Sequence, residues 1–228
     1  MAVSYIGGVA TTGAANGGTT AGVNTTGANL IVIGITHLSG TTASVSDSNS
    51  NTYTALTAIT SGEHRSRLYY CLAPTVGSGH TFTLSGTGIY GAAFVQYFSG
   101  IDSYDKQNGG TSAGTTVQPG SVTPTNADSL LVTAVAERSA SSITIDSSYT
   151  ISNQQAQTGS SYGGGMAYLI QAGGPSASNP TWNHGNGSGF SCATIAVFVP
   201  TAGGGGGGGG PLIGGLVRPI LTRGRLVA

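Results

Sequence analysis

Residues 30–38 read LIVIGITHL, and residues 130–138 read LLVTAVAER. Each is a short run of Leu, Ile, Val and Ala set between Gly, Asn and Ser, so each reads as a central strand of a sandwich. Their neighbours also return. Asp47-Ser48, leading to Tyr53-Thr54, is answered by Asp146-Ser147, leading to Tyr149-Thr150. RLYYCLAP (67–74) is answered by GMAYLIQAG (165–173), and HTFTLSG (80–86) by PTWNHG (180–185), which sets Phe82 opposite Trp182. GAAFVQYFSG (91–100) pairs with SCATIAVFVP (191–200). The offset stays near 100 residues through five consecutive blocks, a period far longer than a solenoid unit of about 20–50 residues.

Within the blocks the periodicity is two. Phe82 and Leu84 alternate with Thr81, Thr83 and Ser85, and Ile143 and Ile145 alternate with Ser142, Thr144 and Asp146. Such alternation marks half-buried strands, and no segment carries a helical stripe with caps. The expected fold is all-β: an antiparallel β-sandwich, jelly-roll or Ig-like, built from two pseudo-repeats of about 100 residues with an extended C-terminal tail. The expected organisation is a first pseudo-repeat over 1–100, a second over 101–202, a polyglycine linker over 203–210 and an apolar, basic docking tail over 211–228.

The composition narrows the function classes. Of 228 residues only 6% are charged, the net charge is zero, and Gly (40), Ser (27) and Thr (30) dominate. A neutral chain of this kind lacks the basic contacts that give nucleic-acid binders their affinity. It also lacks the Lys- and Glu-rich surface of most cytoplasmic enzymes. The opening MAVSYIGGVATTG has neither a basic leader nor an apolar core, so an export signal is not expected. No apolar window is long enough for a membrane span. A protein made in a host cytoplasm and released by lysis, within a virion, reconciles an exterior-type composition with that opening. Few lysines guard the strand edges, which favours an assembly over a freely diffusing monomer.

The candidate sites are sparse. Cys71 and Cys192, the two cysteines, read as buried free thiols, with a single bridge as the alternative. Asp47, Asn49 and Asn51 mimic the start of a calcium loop but lack its glycine and closing glutamate, so a side-chain-braced turn is expected. Glu63, His64, Arg65 and Arg67 form the densest polar cluster and, with Trp182, are a candidate surface contact. The plain alternative is an exposed loop satisfied by a Glu63–Arg67 pair. His37, His80 and His184 stand singly, and no Gly-x-Ser-x-Gly elbow accompanies them. No catalytic residue, metal site or cofactor is expected.

The tail differs from the body. Residues 1–202 hold four basic and seven acidic residues, whereas 203–228 hold three basic and none acidic, so net −3 faces net +3. Leu212, Ile213, Leu216, Val217, Ile220, Leu221, Leu226 and Val227 would gain at most about 12–24 kcal/mol if fully buried. Ordering that segment costs about 1–2 kcal/mol per residue, which offsets the gain. The tail is therefore expected to order against a partner surface. Leu212, Ile213, Leu216, Val217, Arg218, Ile220, Leu221, Arg223, Arg225 and Leu226 would do the docking.

LIVIGI (30–35), Asp47-Ser48 through Asn51-Thr52-Tyr53-Thr54, Leu68-Tyr69-Tyr70 and Ala92-Ala93-Phe94-Val95 together resemble a set of Gly/Thr-rich β-sandwich proteins encoded by tailed phages and bacteria. The MAVSYIGG opening is similar to that of phage virion proteins. The resemblance covers about residues 1–200 and its motifs are structural, so it transfers no catalytic residue. It implies capsid decoration, fibre or adhesin roles. The expected function is a virion structural protein, a capsid decoration or head or tail fibre component, with other virion subunits or copies of itself as partners in a homo-oligomer. The alternative is a carbohydrate-binding or host-adhesion module contacting a host-surface glycan.

Overall fold

The computed structural model describes residues 2–138, 142–146, 148–185 and 190–202. The polyglycine linker and the docking residues expected in the tail lie outside the described residues. Up to Ser99 the strands are β1 (Ser4–Ala10), β2 (Gly17–Thr19), β3 (Leu30–Leu38), β4 (Ser44–Asp47), β5 (Thr54–Ala55), β6 (Ile59–Ser61), β7 (His64–Leu72), β8 (Phe82–Ser85) and β9 (Ala92–Ser99). From Ile101 they are β10 (Ile101–Ser112), β11 (Thr116–Val117), β12 (Leu130–Glu137), β13 (Thr144–Ile145), β14 (Thr150–Gln155), β15 (Gly163–Ile170), β16 (Trp182–Asn183) and β17 (Ser191–Pro200). The described residues contain no helix, so none is long and apolar enough to cross a membrane.

One main sheet runs β1-β9-β3-β7-β5, with β6 also paired to β7; the other runs β10-β17-β12-β15-β14. Each has a three-stranded companion, β2-β8-β4 for the first and β11-β16-β13 for the second. All these pairings are antiparallel. Taken in chain order, β10, β17, β12, β15 and β14 occupy the places of β1, β9, β3, β7 and β5. Among the described residues only β6 has no counterpart.

The period of two decides how these sheets stack. On β3, Leu30 and Val32 join Leu68, Phe94 and Phe98 against Leu130, Val132, Ala134, Met166 and Phe198 of the second main sheet. The intervening Ile31, Ile33 and Ile35 face the other way, onto Phe82 and Leu84 of the small sheet. On β12, Leu131 and Val135 likewise meet Val117, Ile143 and Trp182. The result is an all-β sandwich of four layers, small sheet, main sheet, main sheet, small sheet. Both faces of each main sheet are covered, so LIVIGITHL has no alternation of polar and apolar residues. The small sheets have one wet face, and their strands alternate.

The chain passes from one main sheet into the other through a single residue. Gly100, with φ +80°, separates β9 from β10. That left-handed backbone suits glycine, and a Cβ there would run into the Ala2 carbonyl and the Val3 Cα. β1 lies against β14 and β10 against β6, each an element of the opposite half. Hydrogen bonds also fasten the two halves: Gln96 Nε2 of β9 donates to Ser152 Oγ of β14 at 2.6 Å, and the Thr57 backbone N–H, between β5 and β6, donates to Gln107 Oε1 of β10 at 2.8 Å. The edge β1, without lysine, and the edge β10, which carries Lys106, the one lysine of the sequence, are thus laid beside the other half of the same chain.

Candidate functional site

The Glu63–Arg67 cluster opens β7, and strand geometry divides it. His64 and Ser66 point inward at 3% and 0% exposure, while Arg65 and Arg67 lie on the opposite face, half-buried. The expected Glu63–Arg67 pairing does not form, because four residues of extended chain span about 13 Å. Glu63 instead accepts a hydrogen bond from the Tyr162 hydroxyl at 3.1 Å, with Arg138 Nη1 3.7 Å from the same oxygen. Arg67 Nε donates to the Leu56 carbonyl at 2.6 Å and its guanidinium lies over the Tyr69 ring. Arg65 Nε donates to Thr60 Oγ1 at 3.2 Å. Of the expected surface contacts, Glu63 is exposed, the two arginines are committed to local partners, and His64 is interior.

His64 sits where the two halves meet, edge-on to the Tyr162 ring with centroids 4.8 Å apart. Burial holds its pKa below the ordinary histidine value; Arg138 and His184 add to this, and the Ser61 backbone and Glu63 oppose it. Beside it, Cys192 donates to the Ile59 carbonyl at 3.3 Å, and burial pushes its thiol up to about 12. Glu137 is fully buried in the same region. Gly163 leaves space for it, since a Cβ there would strike the Glu137 carboxylate. Cys71 and Cys192 are both buried and unbridged.

Trp182 corrects a further expectation. Its exposure is 0%, it packs among Val117, Leu131 and Val197, and its indole N–H donates to Thr133 Oγ1 at 3.1 Å. It therefore presents no ring face to a ligand. Tyr69, Tyr97, Tyr149 and Tyr162 are buried as well, so no sugar-stacking platform forms around it.

Asp47 and His80 form a feature that sequence proximity did not reveal. His80 Nε2 lies 3.0 Å from Asp47 Oδ2, and its Nδ1 lies 2.9 Å from Thr25 Oγ1. Asp47 also accepts from the backbone N–H groups of Asn49 and Asn51, the Asn51 amide and the Tyr53 hydroxyl. Burial alone would raise its pKa, but the hydrogen bonds from Tyr53, Asn51 and His80 outweigh that and hold it low. A carboxylate, an imidazole and a hydroxyl in line are the ingredients of nucleophile activation. Here Thr25 and His80 are both at 0% exposure, and Thr25 Oγ1 also accepts from the Gly77 N–H at 3.1 Å. The line acts as a staple joining residues 25, 47–53 and 77–80. The other half keeps the turn without the histidine: Asp146 Oδ1 accepts from the Thr181 N–H at 2.6 Å, and the Tyr149 and Ser178 hydroxyls lie 2.8 Å apart.

At the opposite end of β12, β15 and β17 from Glu137, a cavity of about 820 Å³ opens. Its walls are residues 2–3, 126–128, 170–172 and 200–202. The walls are tied down by the Thr201 N–H on the Gly100 carbonyl and the Gln171 N–H on the Ser129 carbonyl, both 2.9 Å. Val3, Ile170, Ala172 and Pro200 make it apolar, and Asp128 supplies its acidic group. No single stretch of sequence announces this cavity, because four separate segments build it. Among the described residues no group of three or more His, Cys, Asp or Glu is placed to hold a metal ion. No protein family, curated protein or solved structure matches the chain.

Proposed function

We propose that the chain is a structural subunit of a phage virion, a capsid decoration or head or tail fibre component. Its double β body would be displayed on the particle, and residues 211–228 would dock onto neighbouring subunits. One observation carries this reading: the body commits its histidines, its tryptophan and its stacked tyrosines to its own packing. All four histidines and Trp182 are at 3% exposure or less, and the stacked tyrosines bridge the two halves. The exterior left over is poor in charge and rich in Thr, Ser and Gly. The segment with concentrated positive charge, Arg218, Arg223 and Arg225 among Leu, Ile and Val, is the tail.

The test is a chain ending at Ala202, produced alongside the particle. The proposal expects a folded body that no longer joins the assembly. Incorporation at full occupancy would remove the tail from the docking role. Retained glycan binding by the same truncated chain, with assembly unaffected, would replace the structural role with the adhesion alternative.

A further inference from the structure

We infer that the cavity beside Ala202 holds the chain's own residues 211–228 in the unassembled protein, sheltering them until a neighbouring subunit takes them over. This rests on reading that segment as the docking element, and adds where it stays beforehand.

Position makes the first argument. Thr201 and Ala202 are themselves part of the cavity wall, so the chain leaves the described body at the rim. Eight glycines follow, and coil dimensions for that length, about 14–17 Å, are enough for the chain to turn back and deliver Leu212 and Ile213 to that rim. A linker of that length gives a local concentration on the order of millimolar, which favours the chain's own segment over another copy's in dilute solution.

Chemistry makes the second. Val3, Ile170 and Pro200 offer apolar wall, and Ile170 remains 36% exposed, among the few large apolar side chains so exposed in the described residues. Side chains such as Leu212, Ile213 and Leu216 would cover it. Asp128 stands on the same wall, its Oδ1 accepting from the Gly173 N–H at 2.9 Å and Oδ2 left to meet an arginine. The body is net −3 and the segment net +3, so attraction favours closure. Because a segment that fits its own body also fits an identical neighbour's, exchange between copies needs no new surface.

Limited trypsinolysis of the full chain tests this, reading cleavage after Arg223 and Arg225 by mass spectrometry. The inference expects slow cleavage in the wild type, independent of protein concentration between about 1 and about 100 µM, since the linker sets the local concentration. It expects about tenfold faster cleavage in Ile170→Asp, and a smaller acceleration in Asp128→Asn. Trp182 fluorescence reports that the bodies of both variants stay folded. Fast cleavage in the wild type, or equal rates in wild type and both variants, would overturn it. Protection that disappears on dilution would also overturn it, because the occupant would then be another copy's segment. If truncation at Ala202 abolishes particle incorporation while cleavage in solution is fast, the proposed function stands and this inference alone fails.

Discussion

The ring of Tyr5 lies stacked on that of Tyr168, with centroids 4.6 Å apart and planes 13° from parallel. Tyr5 belongs to β1 and Tyr168 to β15, so the contact crosses between halves. The reverse contact exists too: Tyr104 of β10 stacks on Tyr70 of β7 at 5.2 Å and 14°. Phe98 meets Tyr168 edge-on, and Phe198 meets Tyr70 in the same way. Each half therefore lends an aromatic pair to the other, as two subunits of a symmetric dimer would.

A double-mutant cycle on Tyr5 and Tyr168, each changed to Leu, should show a coupling of about 0.5–1.5 kcal/mol in denaturant unfolding. The cycle on Tyr5 and Tyr104, which belong to different stacks, should show none within about 0.5 kcal/mol. Coupling in the second cycle and none in the first would contradict the reciprocal arrangement.

Trp182→Ala should cost about 3–5 kcal/mol, because a fully buried indole leaves a void at the centre of the second small-sheet core. Trp182→Phe should cost less, since Thr133 Oγ1 still donates to the Thr194 carbonyl at 2.9 Å. Native fluorescence should be blue-shifted and shielded from iodide. A quenchable, red-shifted emission would place this ring at the surface.

Stability should fall on mild acidification. Burial pushes His37 down to about 4, with Arg65 and Arg67 adding to the effect and the Leu38 carbonyl opposing it. Its folded pKa lies below the unfolded value, so the unfolded chain binds more protons between about pH 6.5 and 4. The stabilisation is complete above that window and is lost as pH falls through it, by on the order of 2 kcal/mol after allowance for screening. His64 shifts the same way. Urea midpoints at pH 7 and 4.5 measure this, and His37→Gln should flatten the difference; a wild type already flat over that range contradicts it.

Gly100→Ala should destabilise by about 1–3 kcal/mol, through strain at positive φ and a collision with the Ala2 backbone. The thermal midpoint reads this directly. A neutral substitution would mean that the crossing between the main sheets tolerates another backbone path.

The sequence made the all-β character legible wherever burial is uniform. β3, β9, β12 and β17 are covered on both faces and read as unbroken apolar runs, while β8 has one wet face and alternates. The split of Glu63, His64, Arg65 and Arg67 was implicit in the same period of two, once the segment is known to be a strand. Other features had no such signal. Tyr162, Arg138 and Glu63 come from three distant segments, and only the packing of the halves brings them together. Trp182 read as a candidate surface contact although the repeat sets it opposite Phe82, whose buried place on β8 it shares on β16. The Asp47–His80 contact joins the end of β4 to the segment before β8, whose register residue types do not specify.

The double burial of the main sheets bears on how the chain is born. When Ser99 has left the ribosome and β12, β15 and β17 have not, the face carrying Leu30, Val32, Leu68, Phe94 and Phe98 has no cover. The best available lid at that moment is the same face of another nascent chain on the same messenger. Until residues 101–202 have followed, cover from an identical face of another copy is the competing outcome, so the arrangement carries a domain-swapping hazard during synthesis.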